Sequence, residues 1–272
     1  MSGEIIGLQD WFKTPPGRYL LEWECQQLDA VVADVFGYHA LQLGLPDLPG
    51  LRNNRMPHRW VASDRLLRTT AEGNLGKIPG VALVTDFGAL PFSEGSLDLV
   101  VLPHSLELGA DPHGTLREVE RVLVPEGRVV ICGFNPASLW GFSRRRERIY
   151  KRMGFGEAYL PGVEDMIGYW RLRDWLRLLS FEVEASQFGC YRPSVANENW
   201  LRRFEWMDRA GARWWPILGA VYCVVAVKRV RGMRLLGANW KPAKVGANAP
   251  VPVANRGANR GAHRGTNGGH HS

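Results

Sequence analysis

The chain has 272 residues, 45% of them apolar, enough for one α/β domain of ordinary size. Its formal charge of +7 is unevenly placed: nine Lys and Arg and no acid lie from Lys228 onward, leaving 25 basic against 27 acidic residues before it. That distribution argues against a body built to bind nucleic acid, and four scattered cysteines with no C-x-x-C pair fit reduced thiols better than a disulfide framework or a zinc site.

Pro16 to Phe36 carries Leu20, Leu21, Cys25, Leu28, Val31, Val32 and Val35 at helical spacing and predicts an amphipathic helix, an N-terminal cap over residues 1–36. Tyr38 to Leu45 reads as a short strand ending at a Pro- and Gly-rich stretch. His58 to Asp64, Val81 to Asp86 and Leu97 to Leu102 follow as strands, the last apolar on both faces as in a parallel sheet. Asp111 and Pro112 are a helix start, and Leu116, Val119 and Leu123 form its apolar stripe. Pro125 to Gly127 turns the chain into the strand Arg128 to Cys132, completing a βαβ unit.

Tyr169 to Leu179 predicts a helix and Phe181 to Ser186 a strand. Asn199 to Ala210 predicts a second helix, and Ile217 to Val227 a buried strand, too short to cross a bilayer as a helix. The two late strands fit an antiparallel pair at a sheet edge. Trp200, Phe204, Trp206, Trp214 and Trp215 read as a packed cap rather than a substrate box. Six basic residues between Ser143 and Arg152 read as a solvated helix face, with an anion- or membrane-attracting lid as the alternative. After Val230 the periodicity stops, and the Arg-Gly repeats predict a disordered basic tail over 231–272. Glu4 and Asp10 interrupt any signal-peptide pattern, so a reducing cytoplasm is expected.

The stretch Val81 to Phe134 resembles the core of the type 11 methyltransferases, within the class I group that uses S-adenosylmethionine. It has an Asp ending a strand before Leu-Pro-Phe, an Asp opening the next strand, a His and Glu after it, an Asp-Pro helix and a Leu-x-Pro-x-Gly turn. FGYHALQLG near the start and GFNPASLWG after the fifth strand are similar to the YafS-type branch. The resemblance implies a Rossmann-like, mostly parallel seven-stranded sheet with an antiparallel edge strand and helices on both faces. It assigns residues 37–230 to that domain, with insertions near 137–168 and 191–215, and implies methyl transfer to an acceptor, expected to be a small molecule, with S-adenosylmethionine as cofactor and no metal.

Carried over by position, the resemblance puts Asp86 on the adenine amine, Phe87 beside the ring, and Asp64 on the ribose diol. Gly44 would let backbone approach the methionine moiety, and Gln42 stands where the family carries an acid. Pro103 and His104 follow the fourth strand and would line the pocket, with His104 the candidate general base. A dinucleotide site is disfavoured because Leu45-Pro46-Asp47 offers no G-x-G-x-x-G cradle. Two alternatives stay open: a non-catalytic scaffold with a weakened cofactor site, and RNA binding through the Arg-Gly tail.

Overall fold

The computed structural model describes residues 11–64, 80–143, 166–193 and 198–229. The Arg-rich stretch after Ser143 and the tail expected to be disordered lie outside the described residues. All of the described residues fall within one compact unit, Met1–Arg231.

Helix α1 (Pro15–Ala33) begins at Thr14, whose hydroxyl accepts from Gly17 N, and two prolines occupy its first turn, where no N–H is needed. Strands β1 (His39–Leu43), β2 (His58–Ser63), β3 (Leu83–Val84) and β4 (Leu97–Pro103) follow. Next come α2 (Ser105–Leu108), α3 (Pro112–Val122), β5 (Leu123–Phe134), α4 (Tyr169–Leu178) and β6 (Phe181–Gly189). Helices α5 (Glu198–Arg203) and α6 (Trp206–Trp214), a 3-10 turn at Pro216–Leu218, and β7 (Val221–Lys228) complete the order.

The seven strands lie in the order β3-β2-β1-β4-β5-β7-β6. β1 pairs in parallel with β2 and β4, β2 with β3, and β4 with β5, while β7 is antiparallel to both its neighbours. The antiparallel strand thus sits one place in from the edge, and β6 takes the edge itself, where exposed Glu182 and Glu184 discourage pairing with another chain.

Side chains alternate across the sheet with period two and divide the core between its faces. Val130, Cys132 and Phe134 of β5 and Val221, Cys223 and Val225 of β7 pack on the α1 side. Val129 and Ile131, with Tyr222, Val224 and Ala226, pack on the side of α3 and α4. Asp111 caps α3 as expected, its carboxylate accepting from Gly114 N at 2.9 Å. The other end of α3 is closed by Lys228, whose nearly buried ammonium donates to Glu120 O at 2.6 Å and Leu123 O at 2.9 Å.

Several expectations need correction. The strand expected from Ile217 begins at Val221, because Pro216 and Gly219 place Ile217 and Leu218 in a turn. The helix expected over Asn199 to Ala210 is two helices with a break at Phe204–Glu205. The aromatic residues there are not a packed cap: Trp206, Trp214 and Trp215 are 62%, 71% and 56% exposed. Phe204 is half-buried, and the side chain of Trp200 lies outside the described residues.

Candidate functional site

The C-terminal ends of parallel strands are where open α/β sheets bind ligands, because adjacent crossovers leave a crevice there. A groove of about 850 Å³ opens at that edge, walled by Asp64, Asp86, Phe87 and Gly88 on one side and by Leu108 to Asp111, Gly114 and Arg117 on the other. A small hollow of about 20 Å³ adjoins it, sharing Asp64, Phe87, Leu108 and Gly109 and lined also by Gly44, Pro46, Ser63, Pro103 and Ser105. The structure therefore brings Asp64, Asp86 and Phe87 to the groove and Gly44 and Pro103 to an adjoining hollow that shares Asp64 and Phe87 with it, while Gln42 and His104 line neither.

Each wall residue is placed by local chemistry. Asp86 follows β3, and its Oδ1 accepts from Gly88 N at 2.8 Å, a short turn that leaves the second oxygen as an acceptor. Phe87 is buried under the groove at 7% exposure. Gly44 leaves β1 at φ +78, and a Cβ there would stand 3.1 Å from Ser105 Oγ and 3.7 Å from Phe87. Only glycine holds that backbone without strain or obstruction. Ser105 in turn donates to Leu43 O, tying the start of α2 to the end of β1.

Gln42 is buried at 1% exposure and faces inward. Its amide nitrogen donates to Gly44 O at 3.2 Å, Leu45 O at 3.0 Å and Leu48 O at 2.8 Å, and its amide oxygen accepts from Gly50 N at 3.0 Å. A carboxylate in this position would confront three carbonyl oxygens with no proton to offer. The departure from the family's acid therefore has a structural cause: the loop 44–50 folds over the side chain, and only an amide satisfies it.

His104 closes β4 in the left-handed region, at φ 54, and is completely buried. Its Nε2 lies 2.7 Å from Glu24 Oε1 of α1 and its Nδ1 3.0 Å from Glu107 Oε2 of α2, while its ring packs on Phe134 with centroids 4.3 Å apart. Glu107 reaches further, accepting from Phe134 N at 2.8 Å. Burial alone would depress the imidazole pKa, but the carboxylates of Glu24 and Glu107 more than offset it and push the value up to about 10. Burial raises the Glu107 carboxyl, with His104 opposing. A cationic imidazole with both nitrogens engaged ties α1, β4, α2 and β5 together.

Glu24, Ser105 and Glu107 are thus as important to the site as the residues expected there. Glu24 had a legible signal: it falls between Leu20 and Leu28 at i and i+4 spacing, an acid on the apolar stripe of a helix. Ser105 had none, because its role depends on how close α2 approaches β1. Among the described residues no group of His, Cys, Asp and Glu is arranged to hold a metal ion, and all four cysteines are free.

Comparison with known proteins bears on the fold and on the central segment. Residues 63–131 match the type 11 methyltransferase domain family. The chain is 29% identical over 247 residues to the uncharacterized protein YafS of Escherichia coli K12, covering 90% of this chain and 89% of that one. It is 36% identical to the demethylmenaquinone methyltransferase of Mycolicibacterium paratuberculosis over 78 residues only, 29% of this chain and 33% of that one. Among solved structures, a SAM-dependent methyltransferase from Thermotoga maritima superposes with a TM-score of 0.56 at 14% identity, covering 81% of this chain and 94% of that one, which speaks to fold alone. The strand order and the antiparallel β7 are those of the class I methyltransferase fold, and the central segment 63–131 is similar to the type 11 methyltransferase domain.

Proposed function

We propose that the protein transfers a methyl group from S-adenosylmethionine to a small-molecule acceptor, with the cofactor lying along the groove and its adjoining hollow, from Asp86 to Gly44. The observation that carries this reading is that Asp64, Asp86 and Phe87 share one groove and that Asp64 and Phe87 also line the adjoining hollow with Gly44, although the four come from three different strand ends. Their donor set fits the nucleoside half of the cofactor. A carboxylate after β3 suits an exocyclic amine, a second after β2 suits a ribose diol, and Phe87 offers an apolar ring face. Gly44 provides the close backbone approach for the amino-acid half. S-adenosylmethionine supplies an electrophilic methyl group on a sulfonium. The residues of this chain have only to hold the donor, align an acceptor in line with it and exclude water, which together lower a barrier by several kcal/mol.

His104 has a different part in this reading from the general base expected of it. Buried and protonated between two carboxylates, it serves as a positioning residue that fixes Pro103 and Ser105 on the wall of the hollow. A second reading has its own observation. Gln42 spends its amide on the loop, so this position offers the cofactor's ammonium no charge, as expected of a scaffold that keeps the fold with a weakened site. Incubating the protein with methyl-labelled cofactor and fractionated cell extract separates the two. Label entering a small-molecule fraction supports transfer, label in RNA redirects the acceptor, and none in any fraction favours the scaffold.

A further inference from the structure

The segment from α6 to the 3-10 turn inverts the usual build of a surface loop. Its backbone is fastened to the body: Asn135 Nδ2 donates to Ile217 O at 2.7 Å and Gly219 O at 2.9 Å, and Tyr191 Oη donates to Pro216 O at 2.8 Å. Its apolar side chains face solvent, with Trp214 and Trp215 followed by Ile217 and Leu218, which are 45% and 44% exposed. Burial of backbone with display of bulky apolar groups is a patch that soluble surfaces rarely keep without use.

The helix cannot turn these groups inward. Gly211 packs directly under Tyr191, and Asp208 accepts from Tyr19 Oη and from Arg192 Nε at 2.8 Å, so Met207, Asp208 and Gly211 define the inner face. Trp206, Arg209 and Arg213 fall at i, i+3 and i+7 on the opposite face. Arg209 and Arg213 make no ion pair among the described residues. Tryptophan beside aliphatic side chains, with guanidinium groups that make no ion pair among the described residues on the adjoining helix face, matches the boundary between an anionic headgroup layer and acyl chains.

We propose that Trp206–Leu218 is an interfacial anchor that docks the protein on an anionic lipid bilayer. The binding is peripheral, since no helix among the described residues is long and apolar enough to cross a membrane. A second copy of the chain is the poorer occupant, because a self-complementary contact across a two-fold axis would set Arg209 and Arg213 against their own counterparts. Single-stranded RNA would use the tryptophans but has no use for Ile217 and Leu218. Docking on lipid is independent of methyl transfer, and its test requires no cofactor.

The full chain, with its basic tail present in every variant, is sedimented with phosphatidylcholine vesicles and with vesicles containing phosphatidylglycerol. The expected result is partition onto the anionic vesicles that weakens with salt. The variant Trp214→Ser/Trp215→Ser/Ile217→Ser should lower it at least tenfold at an unchanged melting temperature, and Arg209→Gln/Arg213→Gln, on the outer face of α6, should flatten the salt dependence. Wild-type partition by both variants would assign the binding to the tail and overturn the proposal. So would no partition at all, or self-association that the triple variant abolishes.

Discussion

Glu24 and His104, eighty residues apart in the chain, meet at 2.7 Å in the core with no exposed side-chain surface on either. Glu24 Oε2 has no hydrogen-bond partner among the described residues, so the pair holds α1 to the end of β4 at the cost of one unsatisfied oxygen. Removing one member of such a pair leaves the other charge buried and uncompensated. His104→Ala is therefore expected to cost about 3–5 kcal/mol in denaturant unfolding, and Glu24→Gln less, since the amide keeps a hydrogen bond to the imidazole. Equal costs for the two variants would mean that shape, rather than charge, dominates.

The same cluster sets a pH dependence. The folded imidazole is raised to about 10, above the roughly 6.5 of an unfolded histidine, so its stabilisation is complete below that lower value and is lost as pH rises through the higher. Glu107 has the same sign, since burial raises its folded carboxyl, but its contribution is lost from the ordinary carboxylate range upward, a window that opens below the histidine's. Unfolding midpoints should fall between about pH 6.5 and 10. The fall should shrink in Glu24→Gln, which removes the larger of the two carboxylate attractions on His104. A flat profile over that range in the parent protein would show the histidine to be neutral.

Gln42→Glu tests the explanation offered for the missing acid. It places a carboxylate against the carbonyls of Gly44, Leu45 and Leu48 in a buried site, and should destabilise by about 2–4 kcal/mol in chemical unfolding. If it instead leaves stability unchanged and tightens cofactor binding, the side chain is free to turn toward the cleft.

Gly44→Ala forces a side chain into the left-handed region at φ +78 and aims a methyl group at Ser105 Oγ, 3.1 Å away. The backbone strain should cost about 1–2 kcal/mol of stability. The narrowed hollow should weaken S-adenosylhomocysteine at least tenfold in calorimetry; a loss of stability without a loss of affinity would remove Gly44 from the binding site.

Much of this molecule was legible in its sequence because the governing forces are local. The apolar strands, the Asp111–Pro112 helix start and the acid after β3 each follow from spacing or capping within a few residues. The cleft residues could be carried over because each stands at a strand end. The buried roles of Gln42 and His104 were hidden because they depend on partners brought in by the fold, a loop that curls back in one case and α1 in the other. The exposure of the tryptophans is hidden from the sequence for a related reason. Composition says that a side chain is apolar, and only packing says which way it faces.

Asp64, Asp86, Phe87 and Gly44 are proposed to form a working S-adenosylmethionine site despite the altered first glycine turn. Calorimetric titration of S-adenosylmethionine and S-adenosylhomocysteine into the parent protein and Asp86→Ala tests this most directly. The expected result is saturable binding by the parent, weakened by about 1–3 kcal/mol in the variant through loss of the adenine acceptor. No heat of binding with either compound at millimolar concentration would contradict the claim, and equal affinity in the variant would show the adenine to lie elsewhere.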